Sequence, residues 1–286
     1  MRIGVNVVPV MASDLATVGR RAEELGFGAL YYGEHIAVPV DLSTPYPGRA
    51  GYAAHFYRFE TYVALGYLAA ATTTVRLGTG VTILPIRHPL QTARAIASVD
   101  VLSGGRLDLA IGVGSIKDEY AAMGVDYNTR GARLDETLDI FDVLWSAHSP
   151  EHHGRFFDFE PIGFEPKPVQ QPRPPLYVGS RGRIALERGA RRADGWYGAL
   201  YEATEIRALK ATMAPLLEKY GRDPATFRYS LVHGAGQALL PTSDDLAVYE
   251  AEGVETVVVS PFERSDDPDP LPKLEMAAEK LGLTSR

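Results

Sequence analysis

Residues 75–112 read VRLGTGV (75–81), TILPIRH (82–88), PLQTARAIASVDVL (89–102), SGGR (103–106) and LDLAIG (107–112). The outer pieces are short apolar runs of the kind that form buried strands. Between them, His88-Pro89 opens a run with helical spacing that continues to Leu102. Strand, helix and strand in this order imply a parallel pair, because parallel strands need a crossover.

The same alternation extends in both directions. Toward the N-terminus lie a strand over Arg2–Val8 and a helix over Leu15–Leu25, with Ser13 and Asp14 as start residues and Gly26 as the stop. Next come a strand over Ala29–Gly33 and a helix over Thr61–Thr72. After Gly112 the helices are read over Arg130–Ser146, Ile184–Arg192, Thr204–Tyr220, Asp244–Glu252 and Leu271–Leu281. They alternate with strands over Leu176–Gly179, Gly195–Leu200, Phe227–Gly234 and Thr256–Ser260. Eight such pairs close naturally into a (β/α)8 TIM barrel, and 286 residues fit a single domain over 1–286. A doubly wound open sheet is the rival, but it uses fewer strands, and Gly112-Val113-Gly114 lacks the third glycine of a dinucleotide fingerprint. Two connections are long: an extended loop over 34–60 after strand two, and an insertion over 151–175 before strand five.

The composition narrows the function. A net charge of −7 with no basic run argues against nucleic acid and anionic membranes as partners. The absence of cysteine excludes disulfides, zinc–thiolate sites and thiol nucleophiles. No apolar stretch reaches the ~18 residues of a membrane span, and the N-terminus lacks a signal-peptide layout, so a soluble cytoplasmic protein is expected. P-loop, nucleophile-elbow and zincin motifs are missing. His148, His152 and His153 lack a helical ligand pair with an acidic partner, so no metal site is expected.

Barrel chemistry gathers just past the C-terminal ends of the strands. Those positions hold Glu34-His35 after strand two and Thr79-Gly80-Val81 after strand three. Gly114-Ser115 follows strand four and Gly179-Ser180-Arg181-Gly182 follows strand five. His35 is the acid/base candidate, with Glu34 as the carboxylate that orients it. The turn at Gly179 opens a helix. It suits a phosphate, with Arg181 or Arg183 as counter-charge; an ordinary turn with a Ser180 N-cap gives the same sequence. Trp196 is placed to line a pocket or to pack, and Tyr46, Tyr52, His55, Phe56 and Tyr57 suggest an aromatic lid in the 34–60 loop.

Several stretches together resemble the luciferase-like flavin and deazaflavin oxidoreductases. The longest runs from Arg87-His-Pro through Leu102-Ser-Gly-Gly-Arg106 to Gly112-Val-Gly114. Others are Gly33-Glu-His35, Glu119…Gly124…Arg130…Arg133-Leu134-Asp135-Glu136, Pro174-Pro-Leu-Tyr-Val-Gly-Ser180 and Ala193-Asp-Gly-Trp196. The resemblance covers about residues 1–200. It implies a cofactor across the barrel mouth, its phosphate near Gly179-Ser180, and a cis bond at Gly80–Val81 backing the ring. It further implies coenzyme F420, with FMN as the alternative, and hydride exchange with a small organic substrate. The alternatives are an FMN-dependent monooxygenase and a non-catalytic flavin- or deazaflavin-binding protein. Relatives of this type are often homodimers. Deazaflavin-dependent sugar-phosphate dehydrogenases carry a glutamate soon after strand four, where this chain has Ser115-Ile-Lys117.

Overall fold

The stretch over 75–112 forms the strand–helix–strand unit its pattern implies. A computed structural model describes residues 1–8, 10–37, 59–234, 239–262 and 269–283. Eight strands alternate with helices: β1 Arg2–Asn6, β2 Ala29–Tyr32, β3 Arg76–Thr79, β4 Leu107–Gly112, β5 Leu176–Gly179, β6 Gly195–Leu200, β7 Arg228–His233 and β8 Thr256–Val259. All neighbours pair in parallel, β1 with β8 and β3 with β4 included, so the sheet closes into a barrel. The connecting helices are α1 Ala12–Glu24, α2 Thr61–Ala71, α3 Pro89–Leu102, α4 Lys117–Ala122, α5 Arg130–Ser146, α6 Arg183–Arg192, α7 Glu205–Lys219, α8 Ser243–Ala251 and α9 Leu271–Lys280.

The sequence expectations agree with these bounds to within a few residues. α1 begins earlier than expected, at Ala12, so Ser13 and Asp14 lie inside its first turn. Asp14 there meets the positive end of the helix dipole, and Gly26 ends the helix at φ 90°. α4, a short helix in the connection after β4, has no counterpart in the sequence pattern. The 151–175 insertion carries a two-stranded ribbon, His152–His153 against Asp158–Phe159, and two cis prolyl bonds at Pro166 and Pro172. His152 faces Glu136 and His153 faces Asp158.

Two apolar layers hold the fold. The larger lies between strands and helices, where strands buried on both faces meet the amphipathic helix faces. The smaller fills the barrel lumen with Ala29, Tyr31, Ala110, Tyr177, Tyr197 and Val258. Glycine neighbours make room for these tyrosines. A Cβ on Gly78 would collide with the Tyr31 ring, and one on Gly195 would come within 2.7 Å of the Tyr177 ring. Below them, at the N-terminal end of the barrel, Arg76 Nε donates to Asp108 Oδ2 at 2.8 Å and the Tyr177 hydroxyl donates to Glu255 at 2.6 Å. The lumen is therefore closed from below, and the open end is the C-terminal mouth.

Candidate active site at the barrel mouth

Beyond β2 the chain carries Gly33, Glu34 and His35, and the two side chains go to different partners. Glu34 is buried. Its carboxylate accepts from the Ile83 backbone N–H at 2.6 Å and from Arg87 Nε at 2.8 Å. Arg87 also reaches Glu60 at 2.6 Å and lies over the Tyr62 ring. Burial pulls the Arg87 guanidinium down, but its bonds to Glu34 and the charges around it outweigh that and hold it above its usual range. Glu34 thus ties the end of β2 to the segment that follows β3. It does not contact the His35 ring.

The carboxylate on His35 comes from Glu119 in α4. His35 Nδ1 lies 2.9 Å from Glu119 Oε2. The other oxygen of Glu119 accepts the backbone N–H of Ile36 at 2.7 Å and of Ala37 at 3.3 Å. Glu119 is 1% exposed. A buried carboxylate with three acceptor contacts orients the imidazole ring, with Nδ1 placed to donate to it. The local fold explains the placement. Tyr120 buries its ring beside Ile83 and Ile86, and its hydroxyl donates to the Val113 carbonyl. That anchor turns the preceding residue, Glu119, toward the mouth. In the sequence Glu119 stands out only within the family-like pattern; its other signal is an acidic residue next to an aromatic one in a short amphipathic turn.

The floor of the mouth is the Gly80–Val81 bulge, whose peptide bond is cis, as the resemblance implied. Glycines surround it. A Cβ on Gly112 would sit 3.0 Å from Val81 Cγ2, and one on Gly179 would sit 3.2 Å from Val81 Cγ1. One on Gly33 would sit 3.0 Å from the Gly80 carbonyl oxygen. Gly80 itself has no room for a Cβ because the Tyr197 hydroxyl would lie 2.7 Å away. A glycine at 80 therefore answers the close contact with Tyr197. Thr79 is buried and holds the β3–β4 seam: its hydroxyl donates to the Ala110 carbonyl at 2.6 Å and accepts the Ala110 N–H at 2.7 Å. Gly114 has φ 68° and packs against Ile83, which carries the chain past Ser115 into α4.

The turn after β5 lies exposed at the same mouth. Ser180 has φ 95°, a conformation rare for a residue with a side chain and concentrated at functional sites. Its carbonyl accepts Trp196 Nε1 at 2.9 Å, so buried Trp196 supports the turn from behind instead of lining a pocket. The N-cap of α6 is Gly182 without a side-chain cap, so Ser180 is not the cap residue; its hydroxyl accepts the Gly182 N–H at 3.3 Å. Arg181 pairs with Glu205 at 2.5 Å, which offsets its charge at the turn. His233, at the end of β7, faces the helix layer and meets the Tyr249 hydroxyl at 3.0 Å. The aromatic residues at 46, 52 and 55–57 fall outside the described residues.

The mouth of this closed parallel barrel thus combines a glycine-lined bulge with a part-buried histidine–carboxylate pair. Residues 6–245 match the luciferase-like monooxygenase family, and the chain belongs to it. An uncharacterized protein of Mycobacterium tuberculosis is 31% identical over 275 residues, covering 92% of this chain and 93% of the relative. The oxygenase component of a flavin-dependent trigonelline monooxygenase of Acinetobacter baylyi is 35% identical over 162 residues, 56% of this chain and 41% of that protein. Two solved structures share the fold at a TM-score of 0.77: a monooxygenase of Streptomyces bottropensis, 20% identical over 98% of this chain and 97% of its own, and an F420-dependent secondary alcohol dehydrogenase with an F420–acetone adduct, 15% identical over 100% and 99%. The family comprises oxidoreductases and monooxygenases.

Proposed function

We propose that this protein transfers a hydride between coenzyme F420 and a small organic molecule, with His35 giving or taking the accompanying proton. The observation that carries this reading is the buried Glu119–His35 pair at the mouth, beside the Gly80–Val81 floor. When bound, a deazaflavin supplies or accepts the hydride and reacts poorly with oxygen. The protein's part is positional and protolytic. Gly80 and Val81 form the seat for a flat ring, flanked by Thr79 and Gly114-Ser115. The exposed turn over Gly179-Ser180-Arg181 fits an anionic group, because backbone N–H groups at the start of α6 have no helical partners. His35, oriented through Nδ1 by Glu119, would hold its proton on Nε2 toward the substrate. Glu34 serves this site by fixing the loop that carries His35.

An FMN-dependent monooxygenase is the second reading, favoured by the 35% identity to a flavin-dependent oxygenase component. Titration of the protein with F420 and with FMN, each followed by fluorescence quenching, separates the two. Preference for F420 supports hydride transfer; preference for FMN moves the reaction to oxygen chemistry. Turnover that survives His35→Ala would remove His35 from the chemistry, and cofactor binding with no turnover would leave a carrier. We include a cytoplasmic homodimer in the same reading. α2 is apolar on most of its surface, and Val63, Tyr67 and Leu102 of α2 and α3 are exposed beside a groove of about 530 Å³. Among the described residues no helix is long and apolar enough to cross a membrane.

A further inference from the structure

The floor of the mouth rests on an aromatic support inside the barrel. Tyr197 stands in β6, 4% exposed, with its ring stacked on Tyr31 at a centroid distance of 5.1 Å and an interplanar angle of 10°. Tyr31 in turn fills the space that Gly78 leaves beside it in the register. The pair is held from the side and from below, in a lumen where burial pushes the Tyr31 hydroxyl well above its usual range. The hydroxyl end of the stack lies against the bulge: the Tyr197 hydroxyl is 2.7 Å from where a Cβ on Gly80 would sit, and ring carbon Cζ is 3.3 Å from it. Val81, the other half of the bulge, is wedged between Gly112 and Gly179.

We infer that Tyr197 is a positioning residue for the cofactor: its hydroxyl, backed by the Tyr31 ring, sets the height of the Gly80–Val81 bulge on which the ring lies. This rests on the proposed cofactor site and adds a residue one layer below it. The argument is steric. Close-packed interiors transmit displacements instead of absorbing them. Gly80 has the hydroxyl beneath it and Val81 is gripped on both sides, so the bulge has little freedom to sink or tilt. Removing one oxygen leaves a gap directly under Gly80, whereas adding a methyl group at Gly80 drives the bulge up.

The two perturbations should compensate, and that is the test. Tyr197→Phe, Gly80→Ala and the double variant are compared with the wild type for F420 and FMN binding, the visible absorption band of the bound cofactor, and thermal unfolding. Tyr197→Phe should unfold close to the wild type, shift the bound band and weaken binding about three- to tenfold. Gly80→Ala should weaken binding more than tenfold, about 1.4 kcal/mol per decade. The double variant should bind better than Gly80→Ala alone, because the new methyl group then faces Cζ at 3.3 Å instead of the hydroxyl. A double variant no better than Gly80→Ala, with an unshifted band in Tyr197→Phe, overturns the role of Tyr197 while the cofactor site stands. A wild type that binds neither F420 nor FMN overturns the cofactor site and this inference with it.

Discussion

Replacing Glu119 by Gln probes the site with almost no change of shape. In the native protein one carboxylate oxygen accepts from Ile36 and Ala37 and the other faces His35 Nδ1 at 2.9 Å. The amide oxygen of Gln can keep the two backbone bonds. Its NH2 group then faces Nδ1, which must become an acceptor, so the ring proton moves to Nε2 and the imidazolium loses its buried counter-charge. A bond to a charged acceptor contributes roughly 1.5–3 kcal/mol and a neutral one about 1, so the variant should lose about 0.5–2 kcal/mol of stability and stay folded. Turnover should suffer far more. An amide behind a catalytic imidazole costs about four orders of magnitude where the tautomer decides the reaction, and ~10²–10⁴ is expected here if His35 is the acid/base. The assay is steady-state and single-turnover oxidation of the reduced cofactor across pH, with cofactor affinity measured in parallel. Turnover within about threefold of the wild type, with the same pH profile, would refute the claim that Glu119 sets the protonation of His35.

Four further outcomes follow from the geometry. Arg87→Ala should destabilise the protein by about 3–5 kcal/mol, since it leaves the buried Glu34 carboxylate without its cation; a loss under about 1 kcal/mol in chemical denaturation would contradict the structural role of Glu34. Burial pushes the Glu23 carboxyl up, but bonds from Thr73, Thr74 and Val75 outweigh this and hold it at about 2. A folded-state value below the usual 4.5 means stability that is present above that pH and lost as pH falls toward 2. Screened at this mostly exposed site, it is worth about 1 kcal/mol, and Glu23→Gln should flatten that part of the acid-denaturation curve. Desolvation lowers His233, against a pull upward from Asp245 and Glu202, so the unfolded chain takes a proton that the native state resists. Stability should then fall as pH drops below the ordinary histidine range, less so in His233→Gln, as read by thermal unfolding against pH. Finally, Tyr67→Glu on α2 should convert a homodimer to monomers in sedimentation equilibrium; an unchanged mass would place any dimer contact elsewhere.

Most of the barrel was legible because its signals are local. Short runs buried on both faces alternate with amphipathic helices, and α3, β4, α5, β5 and β6 fall where their patterns put them. What escaped depends on contacts across the chain. Lys117–Ala122 is too short for periodicity to reveal as a helix. It forms because Tyr120 finds a buried place against Ile83 and Ile86. The pairing of His35 with Glu119 spans 84 positions and rests on that anchor. The ion pair of Arg181 with Glu205, the first residue of α7, joins positions 24 apart and is equally invisible in the turn quoted alone. The cis bond at Gly80–Val81 was expected only through resemblance.

Glu34 and His35 show why adjacency in sequence misleads at a barrel mouth. Once β2 ends, neighbouring side chains diverge, and each takes the partner on its own side of the backbone. Glu34 turns toward β3 and meets Arg87, a cation whose other contacts are Glu60 and the Tyr62 ring. His35 turns toward α4 and meets Glu119. The first carboxylate is compensated by a guanidinium that keeps its charge at any working pH, which suits it to anchoring a loop. The second faces an imidazole, whose charge changes near neutrality. Two buried glutamates thus make different contacts: Glu34 holds Ile83 and Arg87, and Glu119 holds His35 and the backbone of Ile36 and Ala37. Exchanging the cation for a titratable group, as in Arg87→His, should therefore make loop order and cofactor affinity pH-dependent while leaving the tautomer of His35 under Glu119.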